Sequence, residues 1–102
     1  MQIHSEVNRS VLTVYFSGEM DHLASLETRK ICDRIIDENA ACESVVFDLT
    51  DIRFMDSTGI GFLIGRYKKL RRYGIPLSVR NPNPAADKVL ELSGIYTLIP
   101  KL

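Results

Sequence analysis

The sequence predicts a single α/β domain with a mixed sheet of about five strands packed with three helices. Strand-type segments alternate with helical patterns in the order β-β-α-β-α-β-α-β, which requires crossover connections between parallel strands. The first two strand segments are separated only by a short turn, so they should pair as an antiparallel hairpin. At 102 residues, with 45% hydrophobic and 25% charged residues, the chain suffices for one hydrophobic core.

The predicted hairpin comes first. Residues 3–7 form a short first strand, and residues 11–16 are rich in β-branched and aromatic side chains, which favour strands. The turn-forming residues 8–10 connect them, and residues 17–21 break the second strand. The hairpin therefore supplies the antiparallel part of the sheet.

A helix and a buried strand follow. Residues 23 to about 39 carry apolar side chains at helical spacing among charged ones, which predicts an amphipathic helix. Residues 44–49 form an apolar run typical of a strand that is buried on both faces and pairs in parallel. Cys32 falls within the helix and Cys42 in the following loop, without metal-site spacing, so both are expected to be reduced thiols.

The second half repeats the strand and helix alternation. A central helix ends near residues 71–74, where basic side chains complement the helix C-terminus and Gly74 provides a left-handed cap. Residues 76–79 form a strand. The Asn and Pro residues at 81–84 open a third helix over residues 85–92, which stops at Ser93-Gly94, and residues 95–99 form a last strand.

The central helix has two unusual features. Asp56-Ser57-Thr58 supplies side-chain oxygens that can cap its first turn. Its predicted core face is Ile60, Leu63, Ile64, Tyr67 and Leu70, which places Phe62 outward beside Gly61, Gly65, Arg66 and Lys69. Glycines one turn apart suggest that something approaches the backbone closely, either a partner or another element of the fold. An exposed Phe62 would favour the first explanation, in which a partner protein approaches the helix.

These residues carry a resemblance to a known family. FMDSTGIG at positions 54–61 and GRYK at 65–68 resemble the signature of the anti-sigma factor antagonists of the STAS domain family, in particular its sporulation members. SGEMDH at 17–22, VVFDL at 45–49 and LSGI at 92–95 extend the likeness over nearly the whole chain. The resemblance departs at the C-terminus, where family members usually carry a further helix.

The resemblance implies a phosphorylation switch and no enzymatic activity. In the family, the serine after the aspartate is phosphorylated by the anti-sigma factor, a serine kinase, which places that role on Ser57. The unphosphorylated protein binds this kinase and frees a sigma factor, and a serine phosphatase reverses the modification. The expected partner-binding residues are Asp21, Asp56, Thr58, Gly59, Gly61, Phe62, Gly65, Ser93 and Gly94. Asp21 could also cap the first helix, and His22 is expected to be a solvated loop residue.

Composition and motifs limit the alternatives. Thirteen basic residues balance thirteen acidic ones, so no affinity for nucleic acid or membranes is expected. No apolar run is long enough to span a membrane and no signal peptide is evident, which favours a cytoplasmic protein. We also expect the protein to be a monomer when it is free. We expect no cofactor and no metal. Catalysis by Ser57 would need a base, and the Gly-x-Ser-x-Gly elbow is absent.

Two alternatives to a sporulation antagonist stay open. Gly59 and Gly61 at a helix N-terminus could cradle a phosphate, so the domain could be a nucleotide- or phosphate-binding STAS module, although it lacks the Lys-Ser/Thr pair of a P-loop. An antagonist of the general stress pathway also fits, because relatives in that pathway share the Ser-Thr pair of positions 57 and 58.

Overall fold

The computed structural model describes residues 1–19 and 26–102, with the side chain of residue 19 left out. The strands are β1 (Gln2–Asn8), β2 (Val11–Glu19), β3 (Ser44–Phe54) and β4 (Leu77–Arg80), and the helices are α1 (Leu26–Glu38), α2 (Ser57–Arg72) and α3 (Pro84–Ser93). The predicted α/β class, mixed sheet and three helices are confirmed. In the described part of the chain, none of the helices is long and apolar enough to cross a membrane.

The four strands lie in the order β1-β2-β3-β4. β1 and β2 are antiparallel, with Asn8 opposite Val11. Arg9 and Ser10 between them both have positive φ, 52° and 65°, as a two-residue type I′ hairpin turn requires. β2 pairs with β3 in parallel, and β3 pairs with β4 in parallel. The predicted hairpin and the predicted parallel pairing are therefore both confirmed.

The central strands are longer than predicted. β2 continues through the expected break to residue 19, and β3 continues past Leu49 to Phe54. Two register shifts between these strands, at Tyr15/Ser17 and at Gly18/Glu19, let the pairing continue over irregular residues. Gly18 has a φ of +123°, a backbone conformation that is strained for any residue with a side chain. The strand therefore needs a glycine here, although a glycine within a strand pattern predicted a break.

The predicted fifth strand is wrong. Residues Ile95–Thr97 form a 3-10 helix instead, which starts from the left-handed Gly94 with a φ of 79°. Ile99 N donates to Ile95 O at 2.8 Å, so the two buried isoleucines face the core from one helical turn. In a strand, the same two side chains would face the core because alternate residues point to the same side. A single parallel bridge, Val79 to Lys101, marks where a fifth strand would lie.

One face of the sheet and all three helices share the hydrophobic core. Leu12, Val14 and Phe16 of β2 and Phe47 of β3 belong to one buried cluster with side chains from each helix. The opposite face of the sheet is mostly polar. There Tyr15 Oη donates to Glu6 at 2.8 Å, and Arg80 Nε donates to Asp48 at 2.8 Å. The layers are therefore one sheet and one set of helices, and the helix layer carries the residues singled out from the sequence.

Both cysteines are free, as expected. Cys32 is fully buried in α1, and burial raises the pKa of its thiol to about 12. Burial also raises the pKa of the half-buried Cys42. Because the thiolate is the reactive form, neither residue is activated as a nucleophile.

Candidate functional site

The loop between β3 and α2 builds the start of the central helix. Asp56 has an extended backbone, with φ −137° and ψ −167°, and is the N-cap residue. Its Oδ1 accepts a hydrogen bond from Thr58 N at 2.9 Å, and its carbonyl oxygen accepts from Ile60 N at 3.2 Å. The cap predicted from Asp56-Ser57-Thr58 is thereby confirmed, and Asp56 is the residue that provides it.

The cap makes the stability of the protein depend on pH. Hydrogen bonds from Thr58 hold the pKa of the Asp56 carboxyl below its ordinary value of 3.8. A carboxyl with a lowered pKa stabilises the fold above pH 4 or so, and this contribution is lost as the pH falls through the lowered value.

We expect Asp56→Asn to remove this pH-dependent contribution and keep the cap, because Asn83 already caps α3 by accepting from Ala86 N at 2.8 Å. Urea unfolding at pH 7, 4 and 2.5 should show an advantage of the wild type over the variant that shrinks toward acid. A difference between the two proteins that stays constant with pH would contradict the role assigned to the Asp56 carboxylate.

Ser57 is the first residue of α2, and its side chain is exposed. The first turn of α2 contains no acidic residue. Because the free N–H groups of a helix N-terminus favour anions, a negative group on the Ser57 hydroxyl would meet a favourable field from the helix. The position is therefore accessible to another protein and compatible with an added anion.

The buried face of α2 differs from the predicted one. Its buried residues are Gly59, Phe62, Leu63, Arg66 and Leu70. At about 100° per residue, the centre of this face is rotated by roughly 80° from the predicted centre. The predicted helical period is correct, but the predicted direction of the buried face is wrong. The prediction left Phe62 and Arg66 out of the core, and both are buried.

The expectation that Phe62 points outward is wrong. Its side chain is 3% exposed and packs edge-on against Phe16, with ring centroids 5.8 Å apart. The Arg66 guanidinium covers the other side of the ring, at 4.9 Å from its centroid. Arg66 Nε lies 2.8 Å from Asp33 Oδ1 of α1, although the N–H does not point at that oxygen, so the contact is an ion pair and not a hydrogen bond. Phe62 thus joins α2 to the sheet.

The two glycines lie on the outward face, as predicted. Apart from the adjacent residues and the backbone of α2 itself, a Cβ placed on Gly61 or on Gly65 would meet no atom of the described residues within 4 Å. Ser57, Gly61 and Gly65 follow one another at four-residue spacing, so they form one smooth line, about 12 Å long, on the surface of α2. We call these three residues the α2 strip. No part of the described fold explains the glycines.

The other predicted site residues divide into three groups. Thr58 and Gly59 follow Ser57 in the first turn of α2, where Thr58 is half-buried and Gly59 is buried. Ser93 and Gly94 are exposed but lie at the C-terminal end of α3, about 14 Å along the helix from its start. That start is tied to the end of β3, because Asn83 Nδ2 donates to Ile52 O at 3.0 Å. Ser93 and Gly94 lie at the other end of α3 from this hydrogen bond, and their part in a binding surface stays a prediction. Asp21 and His22 lie outside the described residues.

One exposed residue near Ser57 was not predicted. Phe54, the last residue of β3, is 49% exposed, three positions before Ser57. Phe54 belongs to the motif at positions 54–61, and the sequence contains no signal that would separate it from the buried Met55. An aromatic side chain exposed beside an accessible serine is typical of a protein-binding surface.

Comparison with known sequences gives a consistent result. Residues 2–102 match the model of the STAS domain. An anti-sigma F factor antagonist of Paenibacillus polymyxa is 38% identical over 100 residues, which cover 98% of this chain and 85% of that protein. An anti-sigma-B factor antagonist of Bacillus subtilis (strain 168) is 25% identical over 101 residues, which cover 97% of this chain and 90% of that protein.

Solved structures show the same fold. The anti-sigma factor antagonist SpoIIAA in its unphosphorylated form superposes with a TM-score of 0.74 at 22% identity, over 99% of this chain and 88% of that one. The Bacillus cell fate determinant SpoIIAA in the phosphorylated form superposes with a TM-score of 0.70 at 26% identity, over 99% of this chain and 91% of that one.

Proposed function

Since the chain belongs to the STAS domain family, we propose that it is an anti-sigma factor antagonist switched by phosphorylation of Ser57. In its unphosphorylated form it binds an anti-sigma factor that is a serine kinase, and so frees a sigma factor. The kinase modifies Ser57 and the complex dissociates, and a serine phosphatase restores the binding form. The protein itself is a regulator, cytoplasmic and monomeric when free, and not an enzyme.

The α2 strip carries this proposal. An exposed serine at a helix N-terminus continues into two glycines that leave the backbone of the helix open, and the described fold makes no use of that opening. A partner that lies against the strip would cover Ser57 and come close to the helix backbone. The recognition surface and the modified hydroxyl would then be one continuous patch.

Phosphorylation would change this patch without changing the fold. A phosphate adds roughly −1.5 to −2 charges. At the N-terminus of α2 this charge is favoured by about 0.3–1 kcal/mol, and the repulsion from the neighbouring Asp56 is screened by solvent and salt. In a docked complex the same charge would be removed from water without a partner cation, which is strongly unfavourable. That SpoIIAA has been solved in unphosphorylated and phosphorylated forms, both similar to this fold, supports a switch that keeps the fold.

The direct test is phosphorylation in vitro. Incubation with a purified anti-sigma kinase and ATP, followed by mass spectrometry, should show one modified residue, Ser57, and Ser57→Ala should stay unmodified. Native gels of the two forms should show that only the unmodified protein stays bound to the kinase. Modification elsewhere, or equal binding of both forms, would refute the proposed switch.

Filling the glycine positions should separate stability from binding. We expect Gly61→Ala and Gly65→Ala each to stabilise the fold by about 0.5–1 kcal/mol, because alanine is the better helix former and the added methyl group meets open space. Binding to the kinase should weaken, because the methyl group would hold the partner away from the helix. Urea unfolding and calorimetric titration measure the two effects. Unchanged affinity for both variants would show that no partner approaches the backbone here.

The choice of pathway follows from the relatives. Identity to the anti-sigma F factor antagonist is 38%, and identity to the anti-sigma-B factor antagonist is 25%. We therefore propose that the partner is an anti-sigma F factor. Parallel titrations with an anti-sigma F and an anti-sigma-B factor should give the tighter complex with the first, and the reverse order would assign the protein to the stress pathway.

Nucleotide binding is the weaker candidate. A cleft at the carboxyl ends of β2 and β3 is lined by backbone and by polar side chains, among them Thr50, Asp51 and Arg53. Among the described residues that line it, the cation Arg53 is accompanied by the Asp51 carboxylate, which would repel a phosphate. Calorimetry with ATP and GTP should therefore show no binding at micromolar concentrations, and a micromolar dissociation constant would contradict this expectation.

A further inference from the structure

The C-terminal half of α2 is strongly basic. The helix contains five cations and no acidic residue within its 16 residues, although the chain as a whole has a net charge of zero. All five cations lie in its last seven residues, and they are Arg66, Lys68, Lys69, Arg71 and Arg72. The half that contains Ser57 and the glycines carries no charge. The helix is therefore divided into an uncharged part and a basic part.

The fold uses two of these cations. Arg66 pairs with Asp33, and Lys69 Nζ lies 3.0 Å from Asp37 Oδ1, so both hold α2 against α1. Asp37 also accepts a hydrogen bond from Tyr73 Oη at 2.6 Å. These contacts hold the C-terminal half of α2 against α1.

The other three cations have no such role. Lys68, Arg71 and Arg72 are exposed, and their side chains make no ion pair or hydrogen bond with any group that the structure describes. Their spacing is i, i+3 and i+4, which brings like charges together on one helical turn and destabilises the helix. Lys69, Arg71 and Arg72 all lie in the last turn, where cations complement the helix C-terminus, whereas Lys68 lies before it. Arg71 and Arg72 share the favourable field of that last turn, but no contact of the described fold uses the charge of the three side chains.

The basic cluster continues the α2 strip. Lys68 follows Gly65 after three residues, and Arg72 follows Lys68 after four, so the line from Ser57 runs on to Arg72 along one side of the helix. Lys68 lies about 16 Å and Arg72 about 22 Å from Ser57 along the axis. A patch of that length is within the size of one ordinary protein interface. A partner seated on the strip would thus meet the cluster as well.

We propose that Lys68, Arg71 and Arg72 form a docking patch for an acidic surface of the anti-sigma kinase, at 16–22 Å from the hydroxyl that the kinase modifies. This inference rests on the proposed function and adds the chemistry of the partner. The patch attracts the kinase at a distance and sets its orientation, which raises the association rate, while the α2 strip provides the close contact. Because the patch is remote from Ser57, it affects how often the kinase docks and not the transfer of the phosphate.

Matched charge reversals test the patch. Lys68→Glu/Arg72→Glu changes the net charge by −4, and Arg9→Glu/Lys88→Glu makes the same change at two exposed positions outside α2. We expect the first pair to weaken kinase binding at least about tenfold, mainly through the association rate, and to flatten its dependence on salt. The KM for phosphorylation should rise while kcat is kept. The second pair should bind like the wild type.

Further arms keep the result interpretable. Lys68→Gln/Arg72→Gln should give an intermediate loss, with thermal unfolding measured for every variant to confirm the fold. Equal losses for both reversed pairs, or no loss for either while the wild type binds, would overturn the docking patch alone. The docking patch would also be overturned if the wild type bound phosphatidylserine vesicles or duplex DNA, and Lys68→Glu/Arg72→Glu alone abolished that binding while its affinity for the kinase was unchanged. A wild type that neither binds an anti-sigma kinase nor is phosphorylated would overturn the proposed function itself.

Discussion

Replacing Ser57 with aspartate is expected to weaken binding to the anti-sigma kinase at least about 100-fold, because an unpaired charge buried in an interface costs about 3 kcal/mol or more. The fold should be kept, since Ser57 is exposed and an acidic side chain is favourable in the first turn of a helix. Calorimetric titration measures the first effect and thermal unfolding the second. A true phosphate carries more charge, so the modified wild type should bind no better than the variant.

Two controls make this result specific. Ser57→Ala should bind like the wild type, which shows that the loss comes from charge and not from the missing hydroxyl. Ser10→Asp makes the same substitution in the exposed turn between β1 and β2, outside α2, and should leave affinity unchanged. If Ser57→Asp unfolds the protein, or if it binds as tightly as Ser57→Ala, the switch proposed for Ser57 is wrong.

Truncating Phe62 to alanine should have the largest effect on stability. The side chain is 3% exposed, packs against Phe16 and carries Arg66 on its other side. Removing a buried phenylalanine ring costs about 3–5 kcal/mol, a large part of the 5–15 kcal/mol that stabilises a typical domain. Urea unfolding should show this loss as a lower midpoint at an unchanged slope.

Phe54→Ala is the matched control, since it is the same truncation at a side chain that is 49% exposed. We expect it to cost less than about 1 kcal/mol, because its ring leaves water only in part. Equal losses for the two variants would contradict the burial of Phe62. The comparison also changes what a binding assay of Phe62→Ala means: a loss of affinity would follow from a damaged core, whereas a loss in Phe54→Ala would point to a direct contact.

The elements with the clearest local chemistry were predictable. The hairpin followed from strand-type residues around a short turn, the start of α2 from Asp56, and the end of α3 from Gly94. Each of these depends on a few neighbouring residues whose backbone preferences act in the same direction. The signature around Ser57 similarly identified the family, because its motifs are local and recur in order.

The errors occurred where distant residues compete. Residues 95–99 have side chains that suit a strand, yet the left-handed Gly94 and the burial of Ile95 and Ile99 on one turn favour a 3-10 helix. Phe62 and Arg66 look like a surface pair in the sequence, yet Phe16 and Asp33 are placed to receive them. Neither outcome can be read from the segment itself, since each depends on which element lies opposite.

The sequence by itself determined the class of the fold, the family, the capped start of the central helix and the serine at its first position. Backbone preference and motif spacing are local properties, so they are visible in one dimension. Only the tertiary structure decided which side of that helix is buried, and with it that Gly61 and Gly65 stay open while Phe62 does not. The physical reason is that a helix with apolar side chains on several sides is oriented by the shape and charge of what it packs against.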